Sequence, residues 1–100
     1  MRFTFINSKL EDLYYEDKGA EKYSEAVVEA FFEVMSQIAA AKDERDLYAL
    51  KGLRFEKLQG ERGRQGERSL RLNKQWRLII TIEHDEEGKV ILIINIEDYH

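Results

Sequence analysis

The hydrophobic period of this chain changes at Glu67, and from there the residues alternate as a sheet requires. Leu70 and Leu72 take turns with Ser69 and Arg71; Trp76, Leu78, Ile80 and Ile82 then take turns with Arg77, Ile79 and Thr81. If Leu70, Leu72, Trp76 and Leu78 all face one core, cross-strand partners must share a face, so the numbers of each pair must sum to an even number. A two-residue turn at Asn73 and Lys74 would pair Leu72 with Gln75 and Leu70 with Arg77, burying the wrong side chains. A three-residue loop, 73–75, pairs Leu72 with Trp76 and Leu70 with Leu78. That register sets Arg71 across from Arg77 on the opposite face. Like charges at a cross-strand pair are destabilising by up to about 1 kcal/mol, so the position calls for an anion. A paired acid would serve, and so would a phosphate, which fits the guanidinium fork.

The N-terminal half reads differently. "RFTFI" (2–6) alternates and predicts a short strand. "SKLE" is a capping-box pattern in which Ser8 and Glu11 open a helix that should stop near Gly19, with Leu10, Leu13 and Tyr14 as its buried stripe. Ser24 is the expected cap of a second helix. At 100° per residue Val27, Val28, Phe31, Phe32, Val34, Met35, Ile38 and Ala39 fall in a sector of about 160°, and Glu25, Glu29 and Glu33 lie outside it as a solvated or docking face. A short helical or irregular segment follows around 43–52.

The last run, "KVILIINI", is apolar on both faces, as a central strand would be. Laid antiparallel with Ile82 near Val90, it places Ile96 beside Trp76 and turns Asn95, Glu97 and Tyr99 to the arginine face. Two readings of the polar ending stand side by side. It completes a site begun by Arg71 and Arg77, or Glu97 and Asp98 neutralise the arginines while Tyr99 and His100 fray. Trp76 reads as core rather than as a base-stacking platform, and His84 as an exposed residue of the surface turn "HDEEGK".

One hundred residues, without internal repeat or proline, make one domain spanning 1–100. The absence of cysteine excludes thiolate nucleophiles and cysteine-type zinc sites. No stretch approaches the roughly 20 apolar residues of a membrane span, and the start lacks a signal peptide's basic and apolar regions, so a cytoplasmic protein is expected. The net charge of -4 conceals a split: residues 51–77 carry nine basic against three acidic residues, +6, and the remainder sums to -10. Such a basic segment is suited to a polyanion, or is a solvated loop.

Three motifs in order, "LRFEKLQG", "SLRLNKQWR" and the terminal "EDYH", carry a resemblance that covers nearly the whole chain. They resemble the HigB (host inhibition of growth) branch of the RelE/ParE-like toxins of bacterial toxin-antitoxin systems, also called plasmid maintenance killer proteins. The resemblance implies an α+β fold of the RelE kind, two N-terminal helices packed on a twisted, mainly antiparallel sheet. It implies a metal-independent endoribonuclease, without cofactor, that enters the ribosomal A site and cuts messenger RNA. It also implies an antitoxin with a helix-turn-helix domain (HigA-like), operator DNA being reached only through that partner. The family's catalytic positions carry over to Arg71, Arg77, Asp98, Tyr99 and His100, with Lys57 and Arg62 as further members. Two departures stand out: Gln59 replaces a lysine that many relatives carry, and the loop "ERGRQGER" is longer and richer in arginine.

Metal-free RNA cleavage needs a base for the attacking 2'-hydroxyl, an acid for the departing 5'-oxygen and cations around the phosphate. Histidine alone titrates near neutrality unperturbed, so His100 is the expected acid or base, with Tyr99 positioning or sharing proton transfer and Asp98 orienting His100. Arg71 and Arg77 would bind the scissile phosphate; Arg62, Arg64, Arg68 and Lys74, with Lys57, would grip the RNA backbone. Two other functions remain open: a ParE-like inhibitor of DNA gyrase, and an antitoxin- or RNA-binding member that has lost catalysis.

Overall fold

The computed structural model describes residues 1–98. Its elements in chain order are β1 (Arg2–Phe5), α1 (Ser8–Glu16), α2 (Glu25–Ala40), α3 (Glu44–Ala49), β2 (Glu56–Lys57), α4 (Gly60–Arg64), β3 (Arg68–Arg71), β4 (Trp76–Asp85) and β5 (Gly88–Asp98). Short 3-10 turns at Ala20–Lys22 and Lys51–Leu53 lie before α2 and after α3. The strands form one sheet in the order β1-β5-β4-β3-β2, in which β1 runs parallel to β5 and the remaining pairs are antiparallel.

Local chemistry sets the helix ends. Asn7, not Ser8, caps α1: its side-chain oxygen accepts from the backbone N–H groups of Lys9 and Leu10. Asparagine one residue upstream meets the same orphan donors, so Ser8 becomes the first helical residue. The helix stops at Glu16 because Asp17 turns left-handed (φ 54°), short of Gly19. Ser24 caps α2 as expected, accepting from the N–H of Val27. Val27, Phe31, Val34, Met35 and Ile38 are buried against the sheet; Val28 and Phe32 are half-buried, and Ala39, in the last turn, is exposed.

The hairpin has the register that parity demands. Leu70 lies opposite Leu78 and Arg71 opposite Arg77, and the Leu72 N–H donates to the Trp76 carbonyl at 2.9 Å. Asn73 holds the loop, its side chain accepting from the N–H groups of Gln75 and Trp76. Leu70, Leu78 and Ile80 are wholly buried on the helix side, and Trp76 packs half-buried at the rim, edge-on to Tyr23.

The β4–β5 register differs from expectation. Ile82 pairs with Ile91 rather than Val90, and Ile96 with Leu78 rather than Trp76, which faces Asp98. The pairing shifts between Ile79, opposite Asn95, and Ile80, opposite Ile93, so Ile94 is the extra residue of a bulge. The buried residues explain it: Ile91, Ile93 and Ile96 all join the core, and no unbroken alternation puts two odd positions and an even one on the same face. His84 lies exposed at the end of β4, paired with Lys89, rather than in the turn itself.

The far face of the sheet is also covered at one end. Ser69, Arg77, Ile79 and Thr81 are buried there. The segment 58–67 lies across them, with Leu58, Gln59 and Arg62 above Arg77, Ile79 and Glu97. Its fold depends on Gly63, where a Cβ would fall 1.8 Å from the Leu58 carbonyl oxygen. Backbone bonds from Leu58 N–H to the Glu67 carbonyl and from Glu67 N–H to the Arg62 carbonyl close the loop.

Candidate functional site

Arg71 and Arg77 are cross-strand partners, but they line different clefts and their guanidinium groups take different partners. Arg71 is half-buried, and its Nε donates to the Asn73 carbonyl at 3.3 Å. It lines the cleft between α2 and the 51–53 turn. The Arg77 side chain is only 7% exposed and reaches toward β2, donating to the Arg54 carbonyl at 3.4 Å with Glu56 at 3.8 Å. A cation this far from water needs anions close by, and Glu56 supplies one from the sheet edge.

Beside Arg77 is a shallow cavity of about 230 Å³ lined by Leu58, Gln59, Arg62, Arg77, Ile79, Glu97 and Asp98. Arg62 is its best-organised cation. It donates to both oxygens of Glu97, NH1 to Oε1 and NH2 to Oε2, each at 2.8 Å, and through Nε and NH2 to Oε1 of Glu67 at 3.0 and 2.8 Å. Hydrogen bonding to Glu97 and then Glu67 raises the Arg62 pKa, and the same bond from Arg62 holds the Glu97 carboxyl below its ordinary range. Glu97 is opposite Arg77 in strand register and lines the same cavity. The acid that neutralises this face therefore meets Arg62, which no count along the hairpin could reveal.

The other expected residues spread outward. Asp98, exposed at the end of β5, accepts from Gln75 Nε2 at 3.0 Å. Tyr99 and His100 lie outside the described residues. Lys74 is exposed at the hairpin tip, and Arg64, also exposed, pairs with Glu61 at 3.0 Å. Lys57 and Arg68 are cross-strand partners on the face shared with Leu70, not on the Arg77 face. Arg68 donates to the Tyr48 hydroxyl at 2.9 Å and lies 5.8 Å from the centre of the Phe55 ring. Tyr48, half-exposed beside a cation, is a surface aromatic that the reading of the sequence passed over. Its signal was absent from any motif, because α3 and β3 meet only in the fold. The basic segment thus presents cations on both sides of the β2–β3 edge.

A mixed five-stranded sheet with helices packed on it is the architecture of the RelE-like toxins. The structure aligns along its full length with a YoeB/ParE toxin from Agrobacterium tumefaciens, at a TM-score of 0.58, 14% identity and full coverage of that chain. It also aligns with the YoeB–YefM complex from Staphylococcus aureus, at a TM-score of 0.55 and 26% identity, covering 100% of this chain and 97% of that one. Residues 3–100 match the family described as RelE-like toxin of type II toxin-antitoxin system HigB, and the chain belongs to that family. Among curated proteins it is 37% identical over 79 residues to Toxin HigB-1 of Vibrio cholerae serotype O1 (strain ATCC 39315 / El Tor Inaba N16961), which is 79% of this chain and 81% of that protein.

Proposed function

We propose that this toxin cuts messenger RNA on the ribosome by attack of the 2'-hydroxyl on the adjacent phosphorus, without a metal. The reading rests on one observation above the family membership: the end of β5, bearing Glu97 and Asp98, closes against the cavity of Arg62 and Arg77. Arg77 and Arg71 bind and neutralise the scissile phosphate, which compensates the charge that builds on a pentacoordinate phosphorus. The P–O2' bond forms as the P–O5' bond breaks; His100 takes the 2'-hydroxyl proton as base or protonates the departing 5'-oxygen as acid, Tyr99 positions it or shares the transfer, and Asp98 orients the imidazole. Lys57, Arg62, Arg64, Arg68 and Lys74 hold the RNA backbone. A helix-turn-helix antitoxin silences the toxin and carries the pair to operator DNA. The site of action is the cytoplasm, where translating ribosomes are; among the described residues no helix is long and apolar enough to cross a membrane.

Mapping message 5' ends in cells after brief induction tests this reading. Codon-associated cuts are expected for the wild type and are expected to vanish for Arg77→Ala and for a chain lacking His100. Intact messages with a DNA-damage response would instead make this a gyrase inhibitor. Intact messages without it would make it a binding protein alone.

A further inference from the structure

In this cavity the fork of Arg62 is filled end-on by a carboxylate from a distant strand. Its two acids are not equivalent. Glu67 belongs to the same loop, bonded through its own N–H to the Arg62 carbonyl, and meets the guanidinium side-on through one oxygen. That pair already balances the charge. Glu97 comes from β5 and adds a second negative charge, so the trio sums to one excess anion. Its two oxygens take NH1 and NH2 at 2.8 Å each, the planar two-point geometry that a phosphate also satisfies.

We infer that the NH1/NH2 edge of Arg62 is a phosphodiester subsite and that Glu97 is its resident stand-in, which an RNA phosphate displaces on binding. This rests on the RNA-cleaving reading above and adds to it a residue that sets affinity. Three features support displacement rather than permanent fastening. The Arg62 side chain is 47% exposed, so a phosphate can reach it; Glu97 is 30% exposed, so it can rotate toward water. The Arg62–Glu67 bond keeps the guanidinium oriented when Glu97 leaves. Glu97 also lines the cavity that Arg77 shares, so its departure removes an anion from that cavity. The consequence is a toxin whose cavity is self-neutralised and opens its cations to a polyanion that can compete for both.

The test is binding of a short single-stranded RNA with every 2'-hydroxyl methylated, which binds but cannot be cut. Glu97→Gln keeps the shape and removes the charge; it is expected to bind this RNA about fivefold tighter than the wild type, the scale of one exposed ion pair. In the same variant, inorganic phosphate should shift the Arg62 Nε–H signal in proton–nitrogen spectra at lower concentration than in the wild type. Equal or weaker RNA binding by a folded Glu97→Gln variant overturns the subsite. If that variant does not fold, the wild type decides: bound RNA should bring the Glu97 titration up toward its ordinary 4.5, and an unmoved titration overturns the proposal. Tighter binding with intact messages in cells would leave the subsite standing and remove the nuclease reading. Cut messages with unchanged binding by Glu97→Gln would do the reverse.

Discussion

Glu97 shows how much of a site one side chain decides. Counting alternation put it on the arginine face correctly, since it lies opposite Arg77. Its actual partner, Arg62, is 35 residues away in sequence, in a loop without periodicity, so nothing in the chain could pair them. The bond has a pH signature. Hydrogen bonding to Arg62 depresses the Glu97 pKa below its ordinary 4.5, so the folded state holds this proton less readily than the unfolded one. Stability from the pair is then present above the unfolded value and is lost as pH falls through the depressed one. Glu97→Gln should therefore unfold at lower urea than the wild type at pH near 7, and the two curves should converge as the pH falls through the depressed value. A gap that persists at low pH would assign the difference to packing rather than to charge.

Elements were legible where burial imposes a period and obscure where a single residue breaks it. The hairpin loop followed from parity because four apolar side chains needed one face. The bulge at Ile94 did not, because Val90 to Ile94 is apolar throughout and offers no face to count. The start of α1 was misplaced for a related reason: Asn7 and Ser8 are both good caps, and only the geometry selects Asn7. Substitution separates them. Asn7→Ala should cost about 1 kcal/mol of stability and Ser8→Ala close to none, read as shifts in urea midpoint at constant slope. The loop over the far face has its own weak point. In Gly63→Ala the new methyl would meet the Leu58 carbonyl, a backbone atom that cannot swing aside. A loss of about 2 kcal/mol is expected, and amide exchange should rise first at the bonds between Leu58, Arg62 and Glu67 that close this loop.

Across the whole molecule the charge split read from the sequence acquires a geometry. The +6 of residues 51–77 gathers on both faces of the β2–β3 edge and at the hairpin tip, whereas Glu25, Glu29 and Glu33 line the outer side of α2. Three of the nine basic side chains in that segment, Arg62, Arg64 and Arg77, already meet carboxylates. Among the described residues the other six, Lys51, Arg54, Lys57, Arg68, Arg71 and Lys74, make no such pair. Each phosphate neutralised on a single strand contributes about 0.7 to the slope of log affinity against log salt, so the nine cations, the paired ones included once RNA displaces their carboxylates, set a ceiling of about six. The methylated single-stranded RNA should therefore bind the wild type with a slope no steeper than that. Lys57→Gln and Lys74→Gln should each lower it by about 0.7, acting from opposite ends of the basic edge. A slope near zero, or one that neither substitution changes, would mean that RNA does not lie along this edge.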